Sequence, residues 1–64
     1  MPLEELRAQV RGLRKLVKKL PQKAKPYAIA IIEQSLWIHN EADLERVRPY
    51  MDFERRKLEE ALRE

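Results

Sequence analysis

Three features of the sequence predict an all-α fold, a three-helix bundle completed by homo-oligomerisation. Leu3, Leu6, Val10, Leu13, Val17 and Leu20 recur at a 3-4-3-4-3 spacing, the a and d positions of a heptad. Leu, Glu, Arg, Lys and Ala dominate the chain and there is one Gly, which is the composition of helices. Pro21 and Pro26 then punctuate the chain between two apolar helical patterns.

The first helix is expected over about residues 3–20. Pro2 is tolerated at a helix start, where its missing N–H is not needed. Glu4 and Glu5 sit at the positive end of the helix dipole, and Lys18 and Lys19 at the negative end. Leu16 widens the apolar seam, Gly12 lies off it, and Pro21 stops the helix.

The second helix is expected over about residues 26–39. Tyr27, Ala28, Ile29, Ile31, Ile32, Leu36 and Ile38 cover roughly half of a helical wheel, and Glu33 and Gln34 face water. So wide an apolar arc requires two neighbours, which makes this the central element. Asn40 is a good N-cap, followed by Glu41 and Asp43, so a third helix is expected over about residues 41–63. Leu44, Val47, Met51, Leu58, Ala61 and Leu62 share one of its faces. Pro49 falls inside this pattern, away from the apolar face. Either the helix bends there or it breaks, with Asp52 capping a new segment; the continuous stripe favours the bend. Asp52/Arg56, Arg55/Glu59, Arg56/Glu60 and Glu59/Arg63 have the i,i+4 spacing of helical ion pairs.

The 64 residues allow one helical domain, 1–64. A chain this short has a small core and usually needs a staple: a disulfide, a metal or another subunit. Without Cys and with a single His, neither disulfides nor a structural zinc site is expected, nor any other cofactor. Helix 2 would be roughly 20 Å long and helix 3 roughly 35 Å, so the end of helix 3, with Leu58, Ala61 and Leu62, is expected to overhang and seek a partner. A two-fold homodimer is the simplest solution. Trp37, Met51, Phe53, Leu58 and Leu62 are the candidate residues for that interface, the large aromatics as anchors.

Charge is uneven. Residues 1–25 hold eight basic residues against two acidic ones, a local charge of +6, whereas residues 26–64 carry −3. Arg7, Arg11, Arg14 and Lys18 follow a 4-3-4 spacing along one edge of helix 1; Lys15 and Lys19 adjoin it, and Lys23 and Lys25 extend it into the loop. Such an edge can follow the phosphate backbone of DNA or RNA, without base specificity because no aromatic residue lies in it. A solvated face, or a docking surface for the acidic helix 3 of another copy, is the plainer explanation. A helix–turn–helix drawn over Asn40–Glu64, with Phe53–Arg63 as recognition helix, requires a break at Pro49 and lacks the usual turn Gly.

No catalytic residue is expected: there is no Ser–His–Asp set, Gly-rich phosphate loop or HExxH motif, and His39 is read as a cap on the end of helix 2. The leading expectation is a non-enzymatic helical oligomerisation or protein-interaction module, without a small-molecule substrate. The alternative is a nucleic-acid-binding protein that uses the basic edge. The longest apolar run, Tyr27–Ile32, is too short for a membrane span, helix 1 lacks the Trp or Phe of a membrane-surface helix, and no signal peptide is evident. A cytoplasmic location is therefore the expectation. Scarce Asn, absent Cys and abundant Arg and Glu give a thermophile-like composition.

Overall fold

The computed structural model describes residues 2–64; Met1, which the sequence assigns to the same domain, lies outside the described residues. The fold is an all-α three-helix bundle of α1 (Pro2–Leu16), α2 (Lys25–Ser35) and α3 (Glu41–Arg63), with a 3₁₀ turn at Val17–Lys19. No strand occurs among the described residues. Leu3 and Leu6 of α1 share a groove with Ile38 and His39, beyond the end of α2, so these two helices run antiparallel. Lys23, just before α2, lies 3.7 Å from Glu64, just after α3, so the second pair is antiparallel too. The bundle is up-down-up. α2 packs chiefly on α3 and less on α1, while α1 and α3 barely meet. This makes α2 the central element, as its wide apolar arc requires.

The heptad stripe of α1 packs inward. Leu6 and Val10 are buried, and Leu3, Leu13, Val17 and Leu20 pack half-buried against the core. Leu16, expected to widen the seam, instead points to solvent at 53% exposure. The α-helix ends at Leu16 rather than near Leu20. Proline disfavours helical geometry in the residue before it, and Leu20 is accordingly extended, with ψ 150°. The last turn tightens into a 3₁₀ turn that the Leu20 N–H closes on the Val17 carbonyl. The Pro21 carbonyl then accepts from the N–H groups of Ala24 and Lys25 and leads directly into α2.

α2 ends at Ser35, four residues short of His39. The Ser35 hydroxyl donates to the Ile32 carbonyl at 2.6 Å, the acceptor that the Leu36 N–H would use in a continuing helix. The N–H groups of Leu36, Trp37 and Ile38 reach back only three residues, to the Glu33, Gln34 and Ser35 carbonyls respectively, and the helix unwinds. His39 is therefore not a cap on α2. Its backbone N–H donates to Asp43 Oδ2 at 3.0 Å, while the Asp43 N–H donates to Asn40 Oδ1 at 2.8 Å. This reciprocal arrangement fixes the start of α3.

α3 runs unbroken through Pro49. Proline removes one backbone donor, but it lies on the exposed face, where water can serve the freed carbonyl. The alternative of a break, with Asp52 capping a second segment, is thereby overturned, and the helix–turn–helix that depended on it falls with it. None of the four i,i+4 pairs expected in α3 forms. The ion pairs within this helix are instead i,i+3: Asp43–Arg46, Glu45–Arg48 and Lys57–Glu60. Pairs this exposed stabilise little, so their choice of partner has small consequence.

The end of α3 does not overhang. The turn before α2 extends the column against which it packs, Ala24 and Ala28 are fully buried, and Leu58 and Ala61 are buried within the same chain. Met51, at 2% exposure, is also a core residue. Met51 and Leu58 are therefore corrected from interface candidates to parts of the monomer's own core: their side chains face α1 and α2, not a partner.

Candidate interaction surfaces

None of the four aromatic residues lies in the core. Trp37 is 73% exposed, Tyr50 66% and Phe53 49%; Tyr27 is half-buried. They gather on the outer α2–α3 face. Trp37 and Tyr50 line one groove of about 400 Å³ with Gln34, Arg46 and Val47. Phe53, one turn beyond Tyr50 on α3, lies under the Lys57 ammonium, 5.5 Å from the ring centre. Lys57 in turn shares a groove with Tyr27 and Lys23. Gln34, expected in water, is half-buried, and its Oε1 is buried in this face without a protein hydrogen-bond donor.

Trp37 is on this face because of how α2 ends. The tightened turn after Ser35 buries Ile38 and turns Trp37 outward. Tyr50 flanks the core stripe of α3 on the side where α2 lies, and Phe53 lies farther round the helix, away from that stripe and beside Lys57. Sequence reasoning singled out Trp37 and Phe53 separately and did not place Tyr50, Tyr27 or Val47 with them. The helical wheel of one element carries no information about its rotation against the next.

A second surface is basic. Arg7, Arg11, Arg14 and Lys15 of α1 and Lys18 and Lys19 of the 3₁₀ turn are all exposed. Lys18 departs from the stripe by about 40°, because a 3₁₀ turn advances about 120° per residue instead of about 100°. Among the described residues no carboxylate lies within 4.0 Å of these six, nor of Lys25, which is half-buried in the first turn of α2; Lys23 faces Glu64 instead of extending the edge. Arg7, Arg11 and Arg14 line a groove with Ser35, Leu36 and His39, at the carboxyl end of α2. The negative end of that helix dipole offsets part of their charge. His39 thus stands beside the basic edge, a neighbour that chain order conceals.

Third, Leu6, Val10, Leu13, Ile31 and Leu58 border an open cleft between α1 and α3, with Arg55 on its rim. Leu62, half exposed, is the other interface candidate on α3 and lies apart from the aromatic face. Among the described residues, no group of three or more His, Cys, Asp or Glu is placed to hold a metal ion, and no helix is long and apolar enough to cross a membrane. Comparison with known proteins gives no match to a family model, a curated protein or a solved structure.

Proposed function

We propose that this protein is a non-enzymatic, self-associating helical module. The gathering of Trp37, Tyr50 and Phe53 on the outer α2–α3 face carries the reading. Burying aromatics stabilises a core more than burying any other side chains, and this core contains none of them. Aromatics are enriched at the centres of interfaces, where they act as anchors.

The size of the surface supports the same reading. A monomer of 7.7 kDa is expected to expose about 4300 Å². This chain exposes 4918 Å². The surplus of about 600 Å² per chain approaches the roughly 800 Å² that each partner contributes to a standard interface.

Trp37, the single tryptophan, reports on association directly. Its emission should shift to shorter wavelength as the protein is concentrated, in step with a rise in mass by light scattering. Emission and mass that both stay constant up to about 100 µM would contradict self-association.

A second reading rests on the unpaired bases of α1. They suit a polyanion such as the phosphate backbone of DNA or RNA. Binding should then weaken steeply with salt, with a log–log slope of about −0.9 for each phosphate neutralised on duplex DNA. Replacing Arg7, Arg11, Arg14 and Lys18 by Glu should abolish it. Binding that ignores salt or survives these changes counts against the second reading. It ranks below the first because the dipole of α2 already engages part of that charge, and no aromatic stands beside it to stack on bases.

A further inference from the structure

The exposed flank of α3 carries its own heptad spacing. Arg46, Tyr50, Phe53, Lys57 and Glu60 follow one another at 4-3-4-3, a stripe beside the one that faces the core. Phe53 is its midpoint: Arg46 lies seven residues before it and Glu60 seven residues after. The geometry points to a second copy of this chain as the occupant of this face, its α3 antiparallel to the first and crossing it at Phe53 on a two-fold axis. This inference rests on the self-association proposed above and specifies the surface and the geometry.

Charge selects the antiparallel arrangement. Seven residues of helix span about 10.5 Å, so a two-fold axis at Phe53 sets each Arg46 opposite Glu60 of the partner subunit. The Arg46 and Glu60 side chains are 73% and 62% exposed; each is paired within its own helix, to Asp43 and Lys57, in an exposed contact weak enough to be exchanged for one across the axis. A parallel, in-register pairing would set Arg46, Lys57 and Glu60 each against its own copy, and like charges face to face disfavour it. Arg46 is also a wall of the groove between Trp37 and Tyr50. Glu60 of the partner subunit therefore arrives at the basic side of that groove, and the partner's helix covers its aromatic walls. The basic edge of α1 remains outside this contact.

The test uses the full chain with Arg46→Glu, Glu60→Arg, the double variant, and an equimolar mixture of the two single variants. All are surface changes, and circular dichroism checks that each stays folded. Sedimentation should show a dimer for the parent chain. Each single change places like charges across both symmetry-related contacts and should weaken dimerisation about tenfold. The double variant restores opposite charges and should recover the parent affinity to within about threefold. The mixture should form heterodimers, since one single variant then offers Glu at both positions and the other Arg at both.

In a chain free of other cysteines, Phe53→Cys should also cross-link to its own copy under mild oxidation, faster than Leu16→Cys, because helices in contact bring residues on the axis within disulfide reach. A dimer indifferent to the charge changes, or one that the double variant fails to restore, overturns this pairing and leaves self-association standing. A parent chain that is monomeric at about 100 µM overturns both.

Discussion

Asp43 shows how a few polar atoms set the frame for the rest of the chain. Its carboxylate accepts from the His39 N–H and pairs with Arg46, and its own N–H is held by Asn40. The Asn40 cap was legible from residue type and position. The return bond from His39 was not, because it depends on α2 having ended at Ser35. Asn40→Ala should lower unfolding free energy by about 1 kcal/mol in urea titrations, with the helical fold retained. Met51 offers a sharper contrast. An apolar side chain on the stripe of a surface helix suits a core and an interface equally well until its neighbours are known. At 2% exposure within one chain it belongs to the core. Met51→Ala should therefore cost about 2–5 kcal/mol, and the loss should persist at concentrations where the chain is fully dissociated. A loss that appears only on association would return Met51 to the interface.

At the scale of elements, helix existence and order were legible because periodicity and caps are local. The ends that differed were set by bonds the pattern does not display. Proline at 21 tightened the end of α1, and the Ser35 hydroxyl took the acceptor that α2 needed to continue. Pro49 was legible as an anomaly, and its exposed position explains why α3 tolerates it. Because α3 is already continuous, Pro49→Ala should raise stability by about 1–3 kcal/mol with little change in helicity by circular dichroism. A fall in stability would mean that proline is needed for the path of the helix. Gly12 in α1 gives a second check. A Cβ added there meets nothing within 4 Å, so Gly12→Ala should stabilise by about 1 kcal/mol, measured by urea unfolding.

For the whole molecule, the three-helix bundle and the central place of α2 followed from the width of each apolar arc. The aromatic face did not, since it joins residues from two helices and exists only once their relative rotation is fixed. The expected reason for association was likewise displaced. It was an overhanging end of α3, but Leu58 and Ala61 at that end are covered within the chain and only Leu62 there stays half exposed. What remains uncovered is the outer α2–α3 face, together with the open cleft between α1 and α3. Among the described residues only Ala24 and Ala28 are completely buried, and no large side chain is sealed entirely from solvent. A core this thin is what the proposed second subunit would supplement in a chain of this length.

The most direct measurement is sedimentation equilibrium of the unmodified chain from about 1 to 100 µM. Self-association as proposed predicts a mass that rises from one chain to two, with urea stability rising over the same range. A mass of 7.7 kDa at every concentration, with stability independent of dilution, would contradict it.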